Sequence, residues 1–254
     1  MKKSFFSVIT LLSMTTLYAQ YPEIVAGGAL SMCASFDGYT AADLSTGNNI
    51  PYQVRGKTAF TAGVNGGKAL FSGKNGATIV YECKNNLDFD KPGTLMVWFK
   101  AAENWHTNPP PFIIFWGLGG GPKGYLGLRI SRYPVKDCPC RRNLELWIYH
   151  ADPKRKPATL TLQPPTESKL CQGWHLVALA WSGDQVFMSY DGTPFRAYKL
   201  DQPITNADYK HFTHFSLGFQ DSSFLLDDFR IYGKKLSDDE LLKIWHQGIK
   251  KGGN

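Results

Sequence analysis

The chain has 254 residues with a formal net charge of +7 at pH 7, and aromatic residues make up 14% of it. This length fits one large β-rich domain behind an N-terminal leader, and the aromatic and glycine content is typical of sandwiches with many turns. Although the chain is basic, it carries no recognisable nucleic-acid-binding motif, so its charge does not favour a nucleic-acid partner.

The N-terminus has the pattern of an export signal. Lys2 and Lys3 precede an apolar to weakly polar run from Phe5 to Tyr18, and the small residue Ala19 stands before the expected cleavage site. The run is shorter than the roughly 20 apolar residues that a membrane-spanning helix needs. We therefore expect a signal peptide over residues 1–19, no transmembrane segment after its removal, and a periplasmic, extracellular or cell-surface location.

The rest of the chain is expected to form one domain, because no Pro/Ser-rich linker divides it. The sequence predicts an N-terminal segment over residues 20–32, a folded domain over residues 33–248 and a flexible basic tail over residues 249–254. The oligomeric state is left open.

Five cysteines fall within the expected mature chain. Export favours disulfides over metal thiolates, and an odd number leaves at least one thiol unpaired. We expect Cys33 to pair with Cys83, and Cys171 to pair with either Cys138 or Cys140. A bridge between the last two would be strained, since only one residue separates them.

Alternating apolar residues predict strands through most of the domain. The segments Lys91–Lys100 and Trp174–Trp181 have apolar residues on both faces, which suits central strands of a sandwich. The pair Asp191-Gly192 predicts a hairpin turn. Further strands are predicted at 112–117, 125–131, 144–149, 158–162 and 212–219.

The segment from 224 to 248 predicts a strand, a tight turn and a short helix. Asp227 is expected on the core-facing side of the strand, where a carboxylate needs a partner, and the adjacent Asp228 is expected to point the other way. Ser237 and Glu240 form a capping-box pattern, so a helix is predicted over residues 238–247. The apolar residues expected on the core-facing side are Leu225, Phe229 and Ile231.

This tail resembles the closing motif of laminin-G-like domains in the concanavalin A-like lectin/glucanase superfamily, apolar-Asp-Asp/Glu-apolar-Arg-apolar-Tyr followed by Leu-Ser-x-x-Glu. Earlier segments are similar to motifs of the same family, in the same order: Ala34–Gly38, Gly63–Phe71, Lys91–Lys100, Trp174–Trp181 and Val186–Gly192. The resemblance implies an all-β fold, a two-sheet antiparallel jelly-roll sandwich with one short C-terminal helix. In that family the concave sheet often carries the ligand-binding residues.

The catalytic motifs of that superfamily are missing from this sequence. A glucanase would carry Glu-x-Asp-x-x-Glu on one strand, whereas the nearest string, Asn143–Trp147, has one carboxylate. The Arg-x-Glu and Gln-x-His strands of alginate-lyase-like relatives are missing too. We therefore expect a non-catalytic carbohydrate-binding or cell-surface adhesion module. The alternatives are a polysaccharide hydrolase or lyase of unrecognised type and a purely structural envelope protein.

The resemblance also implies a structural calcium ion where the first and last strands meet. Calcium prefers about six to eight oxygen ligands from carboxylates, carbonyls and water. The predicted ligands are Asp227 and Asp37, the latter on the Phe-Asp-Gly strand. The alternative is that Asp227 accepts backbone N–H groups or pairs with a cation.

Exposed aromatic and basic residues are the candidate glycan contacts. Between Lys123 and Lys156 the chain has nine basic and three acidic residues, which would attract an anionic partner such as an acidic glycan or would form solvated loops with no partner. Aromatic rings stack on sugars, and guanidinium groups bind acidic groups. The predicted glycan-binding residues are Trp105, Arg132, Tyr133, Arg141, Arg142 and Tyr149.

Overall fold

The computed structural model describes residues 29–64, 66–102, 113–119, 124–135, 138–150, 152, 154–164, 172–219 and 223–252. Positions 113, 132–135, 138–141 and 250–252 are described by their backbone alone. Within the described residues no helix is long and apolar enough to cross a membrane. The expected signal peptide lies outside the described residues and stays a prediction.

Strands dominate the described part of the chain, which ends in one α-helix, α1 (Asp238–Gly252). In chain order the strands are β1 (Leu30–Ala34), β2 (Leu44–Ser45), β3 (Gln53–Gly56), β4 (Phe60–Ala62), β5 (Lys68–Ser72), β6 (Ala77–Glu82), β7 (Gly93–Ala101), β8 (Ile113–Gly119), β9 (Tyr125–Val135), β10 (Cys138–Tyr149), β11 (Ala158–Leu162), β12 (His175–Ser182), β13 (Gln185–Tyr190), β14 (Arg196–Lys199), β15 (His214–Phe219) and β16 (Phe224–Tyr232). A short 3-10 helix, Asn206–Tyr209, precedes β15.

The strands form two antiparallel layers joined by one parallel contact. Sheet I has the order β3-β6-β15-β8-β9-β10-β11. Sheet II has the order β4-β5-β16-β7-β12-β13-β14, with β1 on β16 and β2 on β1. The joint is a single parallel pairing of Ser72 in β5 with Ala77 in β6. The predicted all-β, two-sheet antiparallel sandwich with a C-terminal helix is thus confirmed.

Side chains between the two sheets form the main core. Phe115 of sheet I lies with its ring centre 4.4 Å from that of Phe99 and 6.2 Å from that of Phe224, both in sheet II. Alternate residues of each strand point into this layer, so the inward faces of both sheets are removed from water. This burial is the principal stabilising contribution to the sandwich.

The outer face of sheet II is covered by α1. Glu240 N–H donates to Ser237 Oγ at 3.2 Å and Ser237 N–H donates to Glu240 Oε2 at 2.8 Å, which confirms the predicted capping box. Outward side chains of β7 and β12 pack with the helix residues Leu241 and Ile244 in a second apolar cluster. This helix explains why β7 and β12 are apolar on both faces.

A β-bulge in β16 overturns the predicted alternation of the last strand. Asp228 has a φ of 49°, and the pairing with β7 shifts between Asp227 and Arg230. Asp227 is paired with Trp98, and Arg230 with Met96, and both partners belong to the cluster under α1. The two aspartates therefore both lie on the outer side of sheet II. The prediction that Asp227 faces the core is therefore wrong, whereas Asp228 points away from the core as predicted.

The cysteines do not follow the predicted pairing. Cys33 in β1 of sheet II and Cys83 after β6 of sheet I are both free thiols, so the predicted pairing of these two is wrong. Burial raises the pKa of each thiol. Cys138 and Cys140 are described by their backbone alone and Cys171 lies outside the described residues, so their pairing stays a prediction.

Candidate functional site

The outer face of sheet I, called here the open face, carries no helix within the described ranges. In β9 and β10 the leucine and isoleucine side chains are buried in the core, and alternate residues point outward. Register places Arg129 opposite Glu145 and Gly127 opposite Trp147. The outward residues are Tyr125, Gly127, Arg129, Glu145, Trp147 and Tyr149.

Arg129, Glu145 and Trp147 form one bonded unit on the open face. Arg129 Nε and Nη2 donate to Glu145 Oε2 at 2.9 and 2.8 Å, and Trp147 Nε1 donates to the same oxygen at 3.1 Å. The guanidinium carbon also lies 3.3 Å from the centre of the Trp147 ring, a cation–π contact. Three donors on one carboxylate oxygen fix the direction in which the indole faces.

Glycines form the floor of a trough beside this unit. A Cβ at Gly127 would lie 2.0 Å from Tyr125 Oη, and a Cβ at Gly117 would lie 3.5 Å from the Tyr125 ring, so Tyr125 extends over both glycines. Its Oη is buried and has no hydrogen-bond partner among the described residues. Burial raises the pKa of Tyr125 to about 12, so the hydroxyl is protonated at neutral pH.

The opposite wall of this open-face trough comes from β3 and from residues at the start of β15. The rings of Tyr52 and His214 lie with their centres 3.9 Å apart. Together with Gly117, Arg55 and His211 they line a cavity of about 460 Å³. Gly117 thus lines this cavity together with the Tyr52–His214 pair, and Trp147 and Tyr149 of β10 lie further along the same face of sheet I.

Of the predicted glycan-binding residues, the structure places Tyr149 on the trough rim. Its side chain is exposed, and its ring centre is 5.7 Å from that of Trp147. Arg142 is 1% exposed and its Nη1 donates to the Ser131 carbonyl at 3.1 Å, so the prediction that it binds a sugar acid is corrected to a buried, structural position. The side chains of Arg132, Tyr133 and Arg141 are outside the description, and Trp105 lies outside the described residues.

Of the trough residues the sequence predicted Tyr149 alone and missed the others, among them Tyr125, Arg129 and Trp147. The strands that carry them were predicted at 125–131 and 144–149, and their period of two already put these residues on the polar side. The missing information was the register between β9 and β10, which sets Arg129 beside Glu145.

The predicted calcium ligands both contact the connection between β4 and β5. Val64 N–H donates to Asp227 Oδ2 at 2.7 Å, and Lys68 N–H donates to Asp37 Oδ1 at 2.6 Å. Burial, and then the negative charge of Asp228, raise the pKa of Asp227 to about 8, with Asp37 adding to the shift.

The surroundings of these carboxylates fit a hard cation in part. A Cβ at Gly63 would lie 2.5 Å from Asp227 Oδ2, and a Cβ at Gly67 would lie 2.0 Å from Asp37 Oδ1, so both glycines let a carboxylate reach the loop backbone. Carboxylate and carbonyl oxygens are the ligands that calcium prefers. Within the described residues no three His, Cys, Asp or Glu side chains gather to bind a metal, so the remaining ligands would be backbone or water oxygens.

No protein-family model matches the chain, and no curated protein matches it in sequence. Solved structures of botulinum neurotoxin binding domains are similar in fold. The serotype D domain has a TM-score of 0.63 at 15% identity, over 86% of this chain and 51% of that chain. A serotype DC domain in complex with SialylT has a TM-score of 0.62 at 12% identity, over 87% and 51%.

A third structure is of botulinum neurotoxin type C, whose cell entry depends on interaction with two ganglioside molecules. It has a TM-score of 0.61 at 10% identity, over 87% of this chain and 51% of that chain. The chain thus spans about half the length of these structures. At such identities the likeness shows a shared β-sandwich fold.

Proposed function

We propose that the chain is an exported, non-catalytic glycan-binding module, laminin-G-like within the concanavalin A-like superfamily, and that it binds carbohydrate in the open-face trough. One observation carries the proposal: the Trp147 indole is fixed by Arg129 and Glu145 beside a trough floored by Gly117 and Gly127. A flat ring beside polar groups suits a sugar, whose C–H face packs on the ring while its hydroxyls bind the polar groups.

The trough offers a sugar contacts on both sides. Trp147 and Tyr149 provide ring faces on one wall, and the Tyr52–His214 pair provides rings on the other. Tyr125 extends over Gly117 and Gly127, so the space for a ligand is the cavity between β3 and β8.

The fold likeness supports a surface glycan as the partner class. One of the similar neurotoxin domains was solved in complex with SialylT, and cell entry of another neurotoxin depends on interaction with two ganglioside molecules. The laminin-G-like assignment is supported by the ordered motifs from Ala34 onward and by the capping box in α1. An acidic glycan is favoured because the segment that contributes β9 and β10 is rich in lysine and arginine.

The trough geometry favours binding over catalysis. Glu145 Oε2 already accepts three hydrogen bonds, two of them from a guanidinium group, which makes this carboxylate a weak general base. The pKa of Tyr125, raised to about 12 by burial, keeps its hydroxyl protonated near neutral pH. Binding without turnover is therefore the expected outcome when the chain meets its polysaccharide.

The test is glycan binding by matched tyrosine variants. Tyr149→Ala removes an exposed ring from the trough rim, and Tyr39→Ala removes a similarly exposed ring elsewhere. We expect Tyr149→Ala to weaken binding roughly tenfold, the equivalent of about 1.4 kcal/mol, while Tyr39→Ala leaves it unchanged. Equal effects, or no binding to any glycan on a broad array by the unsubstituted chain, would refute the proposal.

We also propose that a structural calcium ion binds between Asp227 and Asp37. A cation there would offset the like charges that raise the pKa of Asp227. Because a ligand of the native state raises the melting temperature, calcium should stabilise the chain relative to chelator, and Asp227→Asn should abolish that difference. An identical melting temperature in calcium and in chelator would refute the site.

A further inference from the structure

A second cavity lies at the lateral opening of the sandwich, where β10 and β11 of sheet I approach the end of β14 in sheet II. β11 and β14 are the two ends of the strand order, and each forms one edge of its sheet. Tyr198 Oη of β14 donates to the Thr161 carbonyl of β11 at 2.6 Å, and this hydrogen bond, called here the edge clip, connects the two sheet edges. The space beside this clip, called here the mouth cleft, has a volume of about 380 Å³.

The floor of the mouth cleft is aliphatic. Ile148, Ala158 and Leu160 line it on the side of sheet I, and Leu200 lines it on the side of sheet II. A volume of this size falls within the roughly 300–1,000 Å³ that small-ligand sites occupy. The floor offers no aromatic ring other than His150 among its described lining residues, so a stack of nucleic-acid bases has no platform here.

The rim of the mouth cleft is cationic. Lys154 and Lys156 are exposed and have no acidic partner within the described residues. Lys199 extends from the other edge, with its Nζ 3.7 Å from an Asp184 carboxylate oxygen, and Asp201 is the acidic residue that lines the cleft. The rim thus has more positive than negative charge, which favours an anion over a neutral or basic ligand.

One arginine fixes the shape of this rim. Arg155 forms an ion pair with Asp208 and donates from Nη2 to the Pro203 carbonyl at 3.0 Å, which anchors the loop of sheet I to the segment after β14. Beside it, burial and the Arg155 charge lower the pKa of His150, so the imidazole is neutral at pH 7. The two neighbouring lysines are left facing solvent at a fixed opening.

We infer that the mouth cleft binds the acidic group of a carboxylated or sulfated sugar, with its oxyanion on Lys154 and Lys156 and its C–H face on the aliphatic floor. This inference rests on the proposed glycan-binding function and adds a second site and an acidic ligand class to it. Lysine ammonium groups suit both oxyanions, because they act as point charges with rotatable donors.

The test compares two double variants with equal loss of charge. Lys154→Ala with Lys156→Ala removes the two rim cations, whereas Lys74→Ala with Lys243→Ala removes two exposed lysines elsewhere. Calorimetric titration would use a polyuronate oligosaccharide, a sulfated oligosaccharide and a neutral oligosaccharide. We expect the rim variant to raise the Kd for one of the acidic ligands roughly tenfold, and the control variant to leave it within about twofold.

Several outcomes would overturn the inference. If both double variants weakened binding of the acidic oligosaccharide equally, the attraction would be a general effect of net charge. The same would follow if the unsubstituted chain bound single-stranded DNA as tightly as it binds the acidic oligosaccharide. Tighter binding of the neutral oligosaccharide than of both acidic ones would also overturn it.

The trough variant Tyr149→Ala separates this inference from the proposed trough function. If the rim variant loses affinity for the acidic ligand and Tyr149→Ala has no effect on any ligand, the mouth-cleft inference is supported and the trough proposal is refuted. If Tyr149→Ala weakens binding and the rim variant does not, the trough proposal is supported and the mouth-cleft inference is refuted. All these substitutions are at exposed side chains, so unchanged melting temperatures serve as the check on folding.

Discussion

The two outer faces of the sandwich differ in what covers them. On sheet II, α1 packs over Met96, Trp98 and Leu176, and those side chains are at most 1% exposed. On sheet I, the equivalent outward positions of β9 and β10 carry Tyr125, Arg129 and other polar or aromatic residues beside a cavity. One outer face is therefore covered by a helix, whereas the other carries polar and aromatic side chains beside a cavity.

Ion pairs on the two faces show the same contrast. On the outer side of sheet II, Arg230 Nε donates to Asp228 Oδ1 at 2.8 Å and both side chains are 2% exposed. On the open face, the Arg129 and Glu145 side chains are 10% and 15% exposed. Removing one member of a buried pair leaves an uncompensated charge, whereas a pair near solvent can be rehydrated.

The largest expected difference in stability is between alanine substitutions of two tryptophans. Helix α1 packs closely on Trp98, since a Cβ at Gly248 would lie 2.2 Å from its ring. Trp98→Ala would leave a cavity there and should cost about 3–5 kcal/mol of unfolding free energy. Trp147→Ala on the open face should cost less than half as much. Urea denaturation of both variants measures the difference, and similar losses would contradict the assignment of the two faces.

A smaller effect is expected from the buried ion pair. Asp228→Asn removes the charge and keeps a residue that tolerates the positive φ of this bulge position, so the loss of about 3 kcal/mol should come from unpaired Arg230. Glu145→Gln on the open face should cost roughly 1 kcal/mol or less. If Glu145→Gln were the more damaging change in urea denaturation, the pair on the open face would be the structural one.

The pH dependence of stability should reflect the titration of Asp227, on the outer side of sheet II. Burial raises the pKa of Asp227 to about 8, so between about pH 4 and pH 8 the folded state binds more protons than the unfolded state. In chelator, this group makes stability fall as the pH rises through that window, by at most roughly 1.4 kcal/mol per unit. Asp227→Asn should flatten the slope, and thermal melts across this range would show whether it does.

The smallest expected effect concerns the start of the covering helix. Ser237→Ala removes the acceptor for Glu240 N–H and should cost about 1 kcal/mol, while Ser237→Asp should retain most of the stability. Because only sheet II is under α1, ligand binding at the trough should be unaffected. Weaker glycan binding by Ser237→Ala at a temperature where it is fully folded would mean that the two faces are coupled.

Local patterns in the sequence were sufficient to predict secondary-structure elements of this protein. The strand at 158–162 and the capping box of Ser237 with Glu240 both occur as predicted, because period-two alternation and capping depend on residues a few positions apart. The two-sided apolar pattern of 91–100 likewise indicated a strand covered on both faces, and α1 is the cover.

Tertiary structure decided the position and surroundings of the candidate site residues. The bulge at Asp228 depends on how β16 meets β7, so alternation alone placed Asp227 on the wrong side. The contact among Arg129, Glu145 and Trp147 depends on the register between β9 and β10. The mouth cleft forms because the edges of the two sheets meet at β11 and β14. Sequence periodicity fixes which residues share a face of one strand, whereas pairing between distant strands sets which of them touch.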